Sequence, residues 1–174
     1  VYDICYNAAS APHTKEAFVS DLSAALDALA TFPAQLRQQV RGLDDTALHV
    51  RPAPAEWSIL EIIGHMLDVN SLWPARIRHM LASENPTLMP VDPAWVQQRD
   101  YQHKQLAFLL QTFDESRAEF VAFMRTLRPG QLARTGIHPT RGQISVAEAV
   151  AALADHDRMH TQQIAANLAA LRSQ

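Results

Sequence analysis

His156 and His160 lie four residues apart in a run with helical periodicity, and His65 lies in another helical run far upstream. On an α-helix, residues i and i+4 share a face, one turn apart. Two imidazoles stacked in this way can grip one metal ion. A third from a facing helix makes a three-nitrogen site with room left for water or substrate. Three protein ligands are the number found in catalytic zinc sites, whereas structural sites are closed by four. The chain carries 8 histidines, so such pairs also arise by chance, and the bland reading is a set of ordinary hydrogen-bonded imidazoles. Position favours the metal. His156 and His160 follow Leu153 and precede Ile164 and Leu168, while His65 falls between Ile62 and Val69. Imidazoles directed into an interior are costly unless their nitrogens are satisfied. A shared cation would satisfy them.

Three polar neighbours are candidates for a supporting part. Asp157 gives the late segment the form His-Asp-x-x-His, close to the His-Glu-x-x-His of metalloproteases. Asp is one methylene shorter, and no further ligand of that motif follows, so Asp157 reads as an acceptor for a ligand N–H or as a solvated residue on the outer face. Glu61 lies one turn before His65 and can face metal-bound water, although helix capping explains it more simply. Gln163, near His160, can orient water or substrate, or be a neutral edge residue. A di-iron centre needs two Glu-x-x-His motifs, and the chain has none. Serine-hydrolase and nucleotide-loop motifs are also missing. Trp57, Trp73 and Trp95 can line a pocket, but core or linker-docking roles explain them as well.

Four helical segments must position these residues. The first spans about Thr14 to Val40, with Phe18, Leu22, Leu26, Leu29, Leu36 and Val40 at three- and four-residue steps. Pro33 either kinks it or opens a second piece, and Gly42 is a stop. The second starts at Ser58, where Ser58-x-x-Glu61 has the form of a capping box, with Trp57 and Ile62 as a hydrophobic staple. It continues towards Leu81, and Pro74 is expected to kink or interrupt it. The third spans about His103 to Leu127, with Leu106, Leu110, Phe113, Phe120, Met124 and Leu127 as its buried stripe. The fourth runs from Ser145 to about Leu171, opens on the capping box Ser145-x-x-Glu148, and buries Val146, Val150, Leu153, Ile164, Leu168 and Leu171. Linkers at 43–57, 83–102 and 128–144 are longer than the tight loops of simple antiparallel bundles. They can cover one end of the bundle and shape a pocket.

Composition sets the frame. The 174 residues are enough for one domain, with residues 1–12 as an N-terminal extension. Apolar residues make up 48%, which supports a sizeable core. With only 5 glycines, long helices are favoured over a strand-and-turn architecture. The net charge of −3 and the lack of a basic tract argue against nucleic acid as a partner. No apolar run reaches membrane-spanning length, and no signal-peptide pattern opens the chain. The single cysteine, Cys5, forbids an intrachain disulfide framework and fits a reducing cytoplasm.

The stretch Arg51-Pro52-Ala53-Pro54-Ala55-Glu56-Trp57-Ser58, then Glu61 and His65, followed by His156-Asp157-Arg158-Met159-His160 and Gln163-Ile164, resembles the DinB-like (DinB/YfiT) superfamily. The resemblance runs from about Leu36 to Leu168. It implies an all-α four-helix bundle with long connecting loops and a mononuclear metal bound by His65, His156 and His160. It also implies a homodimer. The activities it implies are those of thiol-dependent transferases and isomerases, using a low-molecular-weight thiol, or of metal-dependent hydrolases acting on a small molecule. Many members respond to stress or DNA damage. Imidazole ligands suit Zn²⁺, Ni²⁺ or Fe²⁺. The rival expectation is a non-catalytic metal- or ligand-binding bundle, or a stress-associated dimer without turnover.

Overall fold

Four long amphipathic helices bury their stripes against one another and leave the connecting segments to close the ends. The computed structural model describes the backbone of residues 15–92 and 94–172, and side chains over the same span from Asp21 onward. Cys5, Phe18 and the extension expected over residues 1–12 lie outside the described residues or side chains. In chain order the elements are α1 (Lys15–Gln39), α2 (Asp45–His49), α3 (Ile59–Ala82), α4 (Trp95–Gln98), a 3₁₀ turn (Tyr101–His103), α5 (Leu106–Arg125), α6 (Pro129–Leu132), β1 (Thr135–His138), β2 (Gly142–Ser145) and α7 (Val146–Arg172).

The long helices pack as α1 on α5 and α7, and α3 on α5 and α7. Helices α1 and α3 therefore sit across a diagonal, as do α5 and α7. A chain that crosses the bundle end between consecutive helices needs more than a tight turn. This accounts for the long segments at 43–57 and 128–144.

Local signals define the helix starts. Ser58 caps α3: the Glu61 N–H donates to Ser58 Oγ at 3.3 Å, and the Ser58 N–H donates to Glu61 Oε2 at 2.9 Å. The same reciprocal pattern joins Ser145 and Glu148 at the start of α7. Each such cap satisfies orphan N–H groups of a first turn. Three expectations need correction. Pro74 does not interrupt α3, nor does Pro33 open a second piece of α1; both helices are assigned without a break. The third long helix begins at Leu106, because Lys104 and Gln105 are extended and His103 belongs to the 3₁₀ turn. The segment 128–144 is not only loop. It holds α6 and an antiparallel hairpin, β1 with β2, in which Gly136 faces Ile144 and His138 faces Gly142. Leu88 and Pro86 bond to Ile137 of β1, so the 83–92 segment leans on the hairpin.

The apolar interior forms two clusters. One contains Leu29, Val69, Trp73, Phe120, Val150 and Leu153, and the other Phe32, Ile62, Met66, Phe113 and Ile164. Between them on three helices lie buried polar groups: Asn70 on α3, Arg117 on α5 and Asp157 on α7. Arg117 donates to Asp157 Oδ2 at 2.5 Å and Oδ1 at 3.2 Å, and its Nε donates to Asn70 Oδ1 at 2.6 Å. The Asn70 amide donates onward to Ser116 at 2.7 Å. The Phe113 ring lies 4.8 Å from the guanidinium carbon. This waist ties three of the four helices together through one fork-shaped cation.

A second constraint sits at Gly64. A Cβ at that position would lie 2.2 Å from the Tyr101 ring, near its root rather than its tip. The bare backbone lets the ring lie on α3 and its hydroxyl donate to Asp68 Oδ1 at 2.6 Å. Arg99 pairs with the same carboxylate. Burial raises the Asp68 pKa, against the opposite pull of Tyr101 and Arg99.

Two outcomes follow. Gly64→Ala overpacks this contact and lowers stability by about 1–3 kcal/mol, read from the urea midpoint; an unchanged midpoint contradicts the close approach. Arg117→Met leaves Asp157 buried without its cation and costs about 3–5 kcal/mol, whereas the double variant Arg117→Met/Asp157→Leu recovers most of the loss. A double variant no more stable than the single one would show that the waist acts through something other than this pair.

Candidate metal centre

His65 projects from the second turn of α3, and His156 and His160 from successive turns of α7. These two helices pack face to face. The result is one cluster in which Nε2 of His156 lies 3.2 Å from Nε2 of His65 and 3.1 Å from Nε2 of His160. The rings are inclined to one another: His156 and His160 have centroids 4.4 Å apart at 69°, His65 and His160 4.9 Å apart at 70°, and His65 and His156 5.2 Å apart at 49°. Flat stacking would hide the nitrogens; this splayed arrangement converges them.

The donor set fits a cation. Three imidazole nitrogens bound to zinc at about 2.0–2.1 Å in tetrahedral geometry lie about 3.3 Å apart. The observed separations of 3.1 and 3.2 Å are within a few tenths of that spacing. Electrostatics agree. Burial, then the neighbouring His156 and His160, push His65 down to about 2, and burial with His156 pushes His160 down to about 3 against the opposite pull of Gln163 and Asp157. Both rings are therefore uncharged at neutral pH, the form that ligates a metal.

The surroundings explain how the rings are held. His160 Nδ1 lies 2.8 Å from Gln163 Oε1, an amide oxygen that can only accept. His156 lacks such a contact: its Nδ1 is buried without a hydrogen-bond partner, and Asp157 Oδ1 lies 3.9 Å away. Trp57 covers the cluster from the loop before α3, with its ring 4.8 Å from that of His65 and 6.5 Å from that of His160. Its carbonyl accepts a bond from Asn167 of α7 at 2.8 Å, which pins the loop to the helix that carries two of the histidines.

The other expected residues fall as follows. Glu61 faces the loop: its carboxylate accepts from Arg51, from the Ser58 N–H and from Gln102. Burial alone would raise its pKa, but these donors together bring it below the usual carboxylate range. Asp157 is not a solvated outer-face residue. It is 2% exposed and committed to Arg117. Trp73 is a core residue beneath the Arg76 guanidinium, and Trp95 carries Arg99 over its ring. Two surface cavities, of about 370 and 480 Å³, are lined by other residues, among them His49 and Gln102 in the first and Arg99 and Phe108 in the second.

Arg117 and Asn70 were not singled out from the sequence. A signal was present. Arg117 continues the spacing of Phe113 and Phe120, and Asn70 that of Met66 and Trp73, so each puts a polar group on an apolar stripe.

Comparison with known proteins agrees with this picture. A family model described as the DinB superfamily matches residues 28–164. Among similar proteins, "Putative metal-dependent hydrolase OB0782" of Oceanobacillus iheyensis is 25% identical over 133 residues, covering 76% of this chain and 77% of that protein. "Putative metal-dependent hydrolase YfiT" of Bacillus subtilis strain 168 is 26% identical over 141 residues, covering 80% and 79%. The solved structure of YfiT from Bacillus subtilis, described as "a probable metal-dependent hydrolase with an unusual four-helix bundle topology", aligns with a TM-score of 0.83 at 24% identity, over 95% of this chain and 94% of that one. At that identity the likeness establishes the fold, the four-helix bundle. The match over residues 28–164 settles the rest of the classification: the chain belongs to the DinB superfamily.

Proposed function

We propose that this protein is a metal-dependent hydrolase of small molecules, with His65, His156 and His160 as the ligands of one divalent cation. The observation that carries the reading is the convergence of three Nε2 atoms from two helices on one point. The names of the relatives point the same way. Zn²⁺, Ni²⁺ and Fe²⁺ all suit three imidazoles. Bound there, such a cation supplies Lewis acidity and brings a water or thiol nucleophile towards its ionised form near neutral pH.

The chain's own residues do the rest. Trp57 walls one side of the cluster and limits water there, which strengthens electrostatic interactions inside. Among the described residues, no carboxylate accepts a hydrogen bond from any of the three histidines. Glu61 and Asp157 are both occupied by arginines. Neither Glu61 nor Asp157 is therefore free to act as a general base of the His-Glu-x-x-His kind, and a cation held by the three histidines would supply the Lewis acidity. A low-molecular-weight thiol as the nucleophile would turn the same site into a transferase. This reading, like a homodimer, rests on the family resemblance and is separated from hydrolysis by assaying electrophiles with and without added thiol.

Protein prepared without a metal-affinity tag should contain about one metal per chain by elemental mass spectrometry, and His160→Ala should lose it while staying folded. One-to-one binding retained in His160→Ala would sink the assignment. Chelation should abolish ester or amide hydrolysis, and readdition of zinc, nickel or iron should restore it.

Metal-stripped protein should also lose stability on acidification. The unfolded histidines titrate near pH 6.5, while folded His65 and His160 titrate near 2 and 3. Between these limits the unfolded state binds more protons, so stability falls as pH falls below about 6.5, with a limiting slope of about 2.7 kcal/mol per pH unit for two such groups. The urea midpoint at pH 5.5 should be lower than at pH 7.5, and the difference should shrink in His65→Leu/His160→Leu. Equal midpoints in the unaltered protein contradict uncharged buried rings.

A further inference from the structure

The two histidines on α7 are prepared differently. His160 has an acceptor on its Nδ1, the Gln163 Oε1 at 2.8 Å, whereas the buried Nδ1 of His156 has none. A neutral imidazole carries one N–H, and the bond made by one nitrogen decides the state of the other. We propose that Gln163 is a positioning residue of the site: its amide oxygen holds the His160 proton on Nδ1, so that Nε2 presents a bare lone pair to the cation. This rests on the three-histidine reading for its metal part, but the tautomer itself is a property of the metal-free chain.

Four points make Gln163 the residue that does this. It lies three positions after His160 on the same helix, so α7 itself fixes the distance. The amide is directional. With its oxygen on Nδ1, Nε2 is free to ligate; turned around, its NH₂ would donate to Nδ1, drive the proton to Nε2 and block the ligand position. Among the described residues no second acceptor is in hydrogen-bond contact with His160 Nδ1, and the buried carboxylate of Asp157 is held by Arg117 on both oxygens. His160 is also the most buried of the three rings, at 3% exposed, so water is poorly placed to stand in for the amide.

The test uses full-length protein, metal-stripped and then titrated with zinc alone against a competing chelator. The variants are Gln163→Leu, which removes the acceptor at similar volume, and Gln163→Glu, which keeps it. Circular dichroism and the urea midpoint report folding. Nitrogen-15 NMR of the metal-free protein reports the His160 tautomer. In Gln163→Leu, zinc affinity should fall about 10–100-fold, the usual effect of removing a residue that orients a ligand, and the Nε2–H form of His160 should appear. In Gln163→Glu, the Nδ1–H form should persist and affinity should stay within a few-fold of the unaltered protein. Zinc affinity of Gln163→Leu within twofold of the unaltered protein, or an unchanged His160 tautomer, overturns the proposal. Absence of zinc binding in the unaltered protein refutes the three-histidine reading instead, and the tautomer measurement still decides whether Gln163 sets the proton. If Gln163→Leu does not fold, Gln163→Met is measured in the same way, with the same outcomes.

Discussion

The bidentate pair between Arg117 and Asp157 is a charge pair with almost no access to water, with side chains 1% and 3% exposed. Desolvating two ions is expensive, and their attraction offsets the cost only when geometry is good and the remaining donors are used. Here Arg117 spends its Nε on Asn70 and both terminal nitrogens on Asp157. The pair therefore makes a directional demand. It is satisfied at one relative setting of α3, α5 and α7, where apolar stripes alone tolerate slippage. The histidine cluster lies at the same level of the bundle. His156 and Asp157 are adjacent in sequence, so fixing the carboxylate at the waist also fixes where its neighbouring imidazole emerges. The rotation of α7 that satisfies Arg117 is the rotation that brings His156 and His160 towards His65.

The loop before α3 extends this logic to the open side. Arg51, Trp57, Ser58 and Glu61 lie within eleven residues and form one unit. Glu61 closes the capping box and holds Arg51, which draws the preceding loop against the helix start. Trp57 then falls on the histidine rings, and its carbonyl is taken by Asn167. A capping motif is in most proteins only a helix start, worth about 1 kcal/mol. Here the same interaction sets the position of an aromatic wall.

Much of this could be read from residue order because the signals are local. The capping boxes at Ser58 and Ser145 place two helix starts within one residue of those observed. The stripes through Leu26, Phe113 and Leu153 identify buried faces, and the spacing of His156 and His160 places both on one side of α7. What escaped depends on contacts between distant segments. The role of Asp157 cannot be inferred without its partner forty residues upstream. The hairpin at Thr135–Ser145 has strands of four residues each, too short for a period-two pattern, and leans on Leu88 from another loop. Proline misled for a different reason. Pro33 and Pro74 each remove one bond from helices of 25 and 24 residues. Packing of a long apolar face outweighs a penalty of about 3 kcal/mol.

The arrangement also explains why a site of this kind is built on paired helices rather than loops. Burying imidazoles opposes folding at low pH and leaves ring nitrogens to be satisfied. A bundle can bear that cost because its rigid helices fix the ring positions before any ligand arrives, which keeps the ordering entropy out of the binding step. The unsatisfied Nδ1 of His156 marks where this preorganisation stops. One ring of α7 is held by an amide and the other is not, so the two differ in what must change when a cation is bound. On the proposed three-histidine reading, His160 would accept a cation with its proton already set by Gln163, whereas His156 would have to settle its own proton at that moment.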